Sequence, residues 1–262
     1  MIVVTHTNGV VVKVSPKQIP SIEGTYLIDA LFLLSKANPQ ALLVWCNLAC
    51  ESSLNIKEIK LLFQNDRLMM SYSVSGKYSI PETIGYIEDS TFLKINRKLR
   101  YPTWFMSSDV GMIHGSNLGL FQGFSIKADP DYVLSSIAKI GQRSGLLCYS
   151  NPELLTTLGA PAQASCIDTT TANLFKFIFQ HYKTRWMFLM LLNYLLFEKK
   201  LPLFSFLKGF FGKKLLHAKI SLGKVSVTIN EKILETSIDV IIPPVGRVHV
   251  RLGVLMGLGS RA

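Results

Sequence analysis

Hydrophobic and polar positions alternate along this chain with two different periods. "VVTHTNGVVVKV" contains two β-branched runs around Asn8-Gly9, the dipeptide that best favours a two-residue hairpin turn. "YLIDALFLLSKANP" (26–39) places apolar side chains at helical spacing and stops on a proline. "ALLVWCNL" (41–48) is a short unbroken apolar run and predicts a buried strand. A helix is then predicted over "NIKEIKLLFQND" (55–66) and a strand over "LMMSYSV" (68–74). "TIGYIEDSTFLKIN" (83–96) is irregular with β character, and "YPTWFMSSDVGMIHGSNLGLFQG" (101–123) reads as a loop leading into a short helix.

The strongest helix signal of this half is "DPDYVLSSIAKIGQRSG" (129–145). Asp129 suits the N-cap, Pro130 the first helical position and Asp131 the first turn, with Gly145 at the exit. "LLCYS" then returns as a strand. Alternating strands and helices of these lengths predict an α/β domain over residues 1–165, with 41–48 at its centre. No solenoid-type repeat is present.

Beyond it, "ANLFKFIFQHYKTRWMFLMLLNYLLFEKK" (172–200) predicts one long helical stretch. Its uncharged, mainly apolar run, Trp186 to Phe197, includes Asn193 and is twelve residues long. Crossing the hydrocarbon core takes about 20 residues. "LPLFSFLKGFFGKKLLHAK" (201–219) interleaves aromatic and aliphatic residues with lysines, which suits a helix lying in a lipid interface. A core helix whose lysines face water is the other reading. Segment 166–219 is thus an amphipathic, cationic unit, and 220–262 a β-prone linker ending in a lone apolar strand, Ile238 to Ile242.

Composition sharpens this picture. Hydrophobic residues make up 48% of the 262 and mean hydropathy is +0.30, enough for a real core and too much for a disordered chain. Cys46, Cys50, Cys148 and Cys166 form neither a secreted disulfide framework nor a zinc-ligand spacing, so buried free thiols are expected. The N-terminus has no cationic region or cleavage site of a signal peptide, and a cytoplasmic location follows as an expectation.

The net charge is +11, and Thr171 to Lys219 carries eight lysines and Arg185 against the single acid Glu198. Such a stretch seeks an acidic surface: anionic lipid, nucleic acid or a phosphate-rich substrate. No nucleic-acid-binding motif is present, and the lysines sit among bulky apolar residues. Residues 172–219 are therefore expected to hold the protein at the inner face of an anionic membrane, with no nucleic-acid partner.

"IDVIIPPVGR" resembles the first βα unit of family 2 glycosyltransferases, on Ile241, Ile242, Pro243, Gly246 and Arg247, with Pro244 in place of the usual Thr. In that family the residues after this strand approach the base and ribose of a nucleotide-sugar. The resemblance thus implies nucleotide-sugar contacts at Pro243, Gly246 and Arg247. Ligands gather beyond the carboxyl ends of such parallel strands. "YPTWFMSSDVGMIHGS", "DPDYVLSSIAKIGQRSGLLCYS" and "QHYKTRWMFLMLLNYLLFEKK" look like the region preceding the complete GT-A domain in two-part members. The likeness implies a GT-A-like mixed sheet with flanking helices and transfer of sugar to a hydroxyl acceptor, often lipid-linked. After Arg247, "VHVRLGVLMGLGSRA" has three glycines where a long amphipathic helix is expected, as a shifted reading frame or truncated gene would produce.

The N-terminal region itself resembles a worn second half of a GT-A domain. In active members a strand ends in Asp-x-Asp, which holds Mg²⁺ or Mn²⁺ and the sugar diphosphate. Here the matching strand offers Cys46, Asn47 and then Glu51, so no metal ligands are expected. Ser107, Ser108, Asp109, Gly111 and His114 resemble the acceptor-side segment. Asp129 and Asp131 stand where the family carries an acidic pair, one of which deprotonates the acceptor hydroxyl. Both also have structural reasons, a cap and a first-turn acid. The alternative function is a non-catalytic binding or scaffold domain of the same ancestry.

Other polar residues carry paired readings. Glu88-Asp89 could bind a metal or a hydroxyl, or form a solvated turn. His114 could pair with Asp109 or cap a helix, and His6 is expected to be packed or exposed. No G-x-x-x-x-G-K-[ST], G-x-S-x-G or H-E-x-x-H occurs.

Overall fold

Asn8 and Gly9 both take positive φ, 51° and 78°, the pair of left-handed conformations that joins two right-twisted strands tightly. β1 (Ile2–Thr7) therefore folds back on β2 (Val10–Ser15) as predicted. The computed structural model describes residues 1–16, 22–62, 67–88, 96–121, 129–157, 170–216 and 220–222. The chain divides into two units, Met1–Leu222 and Gly223–Ala262, and the second lies outside the described residues. The terminal strand 238–242 falls within that second unit.

From the hairpin the chain runs through α1 (Leu27–Ala37), β3 (Leu42–Asn47), a 3-10 turn (Leu48–Ser53), α2 (Ile56–Leu62) and β4 (Leu68–Tyr72). After a 3-10 turn at Glu82–Tyr86 come β5 (Tyr101–Pro102), β6 (Val110–His114), α3 (Gly115–Gly119), α4 (Pro130–Arg143) and β7 (Leu147–Ser150). These form one seven-stranded sheet among the described residues, in the order β2-β1-β3-β6-β4-β7-β5. β3 runs parallel to β1, and β4 to β7, while β6 lies between β3 and β4 antiparallel to both.

Every residue of β3 is buried, because helices cover both faces of the sheet. Leu43, Trp45, Met69 and Ile113 point to one side, where Leu31, Leu34, Leu134 and Ile137 of α1 and α4 meet them. Leu42, Val44, Met70 and Met112 point to the other, against Ile59 of α2 and Leu154. The described residues are thus α/β, a mixed sheet flanked by helices, as the alternating pattern predicts.

Two segments differ from expectation. Val110–His114 is not a loop but the inner strand β6, buried throughout. The predicted long helix breaks at Tyr182, which is extended at φ −125° and ψ 170°. It yields α5 (Thr171–His181), then α6 (Arg185–Asn193) continuing as a π-helical turn (Tyr194–Glu198), closed by Lys199 at φ 52°. α7 (Leu203–Gly209) follows. α5 is core, with Leu174, Phe175, Phe177 and Ile178 fully buried, so residues 172–219 are not one surface segment. No helix among the described residues is long and apolar enough to cross a membrane.

Candidate functional site

Because β6 runs against its neighbours, its first residues lie beside the last residues of β3 and β4. That rim gathers His6, Cys46, Asn47, Ser107, Ser108 and Asp109, and α4 brings its N-terminus to the same place. The rim lies beyond the carboxyl ends of β1, β3 and β4, the side of an α/β sheet on which ligands collect.

The segment before β6 is clamped from several sides. The Trp45 indole Nε1 donates to the Ser107 carbonyl at 3.0 Å, and the Ser107 amide donates to Ser71 Oγ at 3.0 Å. His6 is wholly buried. Its Nε2 lies 2.8 Å from the Ser108 carbonyl, which can only accept, so Nε2 carries the proton. Nδ1 then accepts from the Gly9 amide at 3.3 Å. Only the neutral ring satisfies both contacts, and burial lowers the His6 pKa accordingly.

The three candidate aspartates converge here, each already holding main chain. Asp129 caps α4, its Oδ1 accepting from the Asp131 amide at 2.9 Å. Asp131 Oδ1 accepts from the Ser108 amide at 2.8 Å, tying the helix start to the clamped segment. Asp109 Oδ2 accepts from the Val74 amide at 3.0 Å, and its carbonyl accepts from the Asn47 amide at 2.7 Å. Burial raises all three carboxyls above their ordinary range. Asp131, 1% exposed, is pushed up to about 8 by burial, against the pull of hydrogen bonds from Ser108. Its Oδ2 meets no hydrogen-bond partner among the described residues.

The donor set at the end of β3 does not fit a hard divalent cation. Burial pushes the Cys46 thiol up to about 12 and Cys50 to about 11, so neither is a thiolate. Asn47 Oδ1 accepts from the Ala49 amide, and Glu51 is bonded to Lys13. Among the described residues no group of three or more His, Cys, Asp or Glu side chains could hold a metal ion.

The remaining candidates are separated. Gly111 lies mid-strand beneath the Trp45 ring. His114 ends β6 about 17 Å from Asp109 at strand rise, so the proposed acid/base pair is not formed. It occupies the N-cap position of α3 without a side-chain cap, and its Nδ1 contacts Ser116 Oγ. Glu88 is no solvated turn: it accepts from Trp104 Nε1, Lys139 and Tyr182 in a largely buried knot. Asp89, Pro243, Gly246 and Arg247 lie outside the described residues. Sequence reasoning did not place His6 in this rim. The available signal was its position at the end of a strand parallel to β3.

No family model, curated protein or solved structure matches this chain.

Proposed function

We propose that Met1–Leu222 is a GT-A-derived domain of a family 2 glycosyltransferase that contributes acceptor-side binding rather than sugar transfer. The reaction it serves moves a sugar from a nucleotide-sugar donor to a hydroxyl acceptor. Ancestry is supported by the convergence of the β3 end, the Ser107–Asp109 segment and the Asp129–Asp131 helix start on one rim, within a compatible mixed sheet. The observation that carries the non-catalytic reading is the prior engagement of each candidate carboxylate with a main-chain amide. A general base must reach the acceptor oxygen, and Asp131, 1% exposed and pushed up to about 8 by burial, is poorly placed to do so. The polar groups of the rim are serine hydroxyls, an imidazole and carboxyls, hydrogen-bonding chemistry that suits a hydroxyl-rich ligand.

The test is incubation of the full chain with a panel of nucleotide-sugars and Mn²⁺. The expected outcome is neither transfer nor donor hydrolysis. Metal-dependent donor hydrolysis that disappears in Asp131→Asn would refute the reading and make Asp131 a base.

A further inference from the structure

α6 and the π-helical turn form one continuous rod, Arg185 to Glu198, with an inverted surface. Its inner side is Met187, Met190 and Tyr194, and Tyr194 packs on Phe175. Phe188, Leu189, Leu192, Leu195, Leu196 and Phe197 face out. α7 repeats the arrangement: Phe206 and Gly209 turn inward against Phe175, while Leu203, Phe204 and Leu207 face out. Phe204 is 72% exposed, and Phe211, just beyond α7, is 89% exposed. The Phe188 ring lies edge-on to Phe206 and Phe210, so the two faces adjoin.

A surface helix ordinarily turns its polar residues to water. With about 150–250 Å² per fully exposed aromatic, these side chains present on the order of 1,000 Å² of apolar surface, against roughly 300–600 Å² for the largest patch of a typical monomer. Cations rim it. Arg185, Lys199, Lys200, Lys208 and Lys213 are exposed, and the sole acid between Thr171 and Lys219 in the sequence, Glu198, accepts from Tyr86. Lys208 Nζ sits 4.5 Å from the centre of the Phe204 ring, so charge and apolar surface occupy the same spot. The cores of protein interfaces are depleted in lysine, whereas a bilayer takes rings into its acyl boundary and lysines at its phosphates.

We propose that the outer faces of α6 and α7, together with Phe211, dock in the plane of an anionic phospholipid bilayer. The docking face is preformed, because Phe175, Met187 and Phe206 hold it from beneath, while α5 stays inside the protein. The inference does not depend on the transferase reading.

The test is sedimentation of the full chain with phosphatidylcholine vesicles that contain or lack phosphatidylglycerol. At about 50 mM salt, binding should be roughly 30-fold tighter with phosphatidylglycerol, and a salt-resistant remainder should persist at about 500 mM. Combining Phe204→Ser, Leu207→Ser and Phe211→Ser should abolish that remainder. Combining Lys199→Gln, Lys200→Gln and Lys208→Gln should abolish the preference for phosphatidylglycerol. All six residues are exposed, so an unchanged Tm and near-UV spectrum confirm folding. Brominated lipid should quench Trp186, since Trp45 and Trp104 are buried. Absence of binding to phosphatidylglycerol vesicles at low salt would overturn the proposal. So would self-association, seen by light scattering without vesicle binding and abolished by the serine variant, which would assign the face to a second copy.

Discussion

Gly111→Ala should damage the centre of the sheet and loosen the candidate rim together. Gly111 pairs with Trp45 on one side and Ser71 on the other. A methyl group at this position would lie 2.6 Å from the Met70 carbonyl oxygen and 2.6 Å from Cε2 of the Trp45 indole. The carbonyl belongs to the middle of β4 and cannot retreat. The indole is fully buried and can tilt only by giving up its bond to the Ser107 carbonyl. Overpacking of this kind costs about 1–3 kcal/mol, and the lost hydrogen bond about 0.5–1.5 kcal/mol. Their sum is a large part of the roughly 5–15 kcal/mol that holds a domain folded. With m near 2 kcal/mol/M, the urea midpoint should fall by about 1–2 M. Trp45→Phe removes part of the clash, so the double variant should be more stable than additivity predicts, by about 0.5–3 kcal/mol. A midpoint shift below about 0.3 M, or strict additivity, would refute the packing account.

Two further outcomes are expected. Burial raises Asp131 from 3.8 to about 8, so between those values the folded chain holds a proton that the unfolded chain has released, and stability falls as pH rises through that window. Asp131→Asn keeps an acceptor for the Ser108 amide and removes the titration. Its Tm should therefore fall less than the wild type's between about pH 5 and pH 8, and equal slopes would exclude the effect. Glu88→Gln leaves the largely buried Lys139 ammonium without its counter-ion and should cost about 3 kcal/mol in urea unfolding, with part recovered by adding Lys139→Met.

Features set by neighbouring residues were legible in the sequence. Asn8-Gly9 specifies its own turn, Asp129-Pro130 starts α4, and the apolar run 42–47 became β3, an inner strand beside the central β6. β6 was hidden because Ser107, Ser108, Asp109 and Gly111 are all turn-type residues. Gly111 is in a strand because the indole of Trp45, 66 positions earlier, lies across it. The break at Tyr182 has no Gly or Pro to announce it. It comes from tertiary demand, as Tyr182 bonds Glu88 while α6 turns to pack Met187 near Phe175 and Gly209. The same holds for the rim: Asp109 and Asp131 could be picked out singly, but their engagement with the Val74 and Ser108 amides arises only once β6 is inserted.

The insertion of β6 also sets a timetable for synthesis. β3 can pair with β1 as soon as both have left the ribosome, but its other edge must wait for β6. Some 65 residues separate the two strands, about 3–13 s of translation at roughly 5–20 residues per second. During that interval the nascent chain presents Leu43, Val44 and Trp45 along a row of unpaired amides and carbonyls, a template for pairing with another chain. Slower translation between Leu48 and Val110 lengthens the exposure, and a chaperone acting on this protein is most useful in that window.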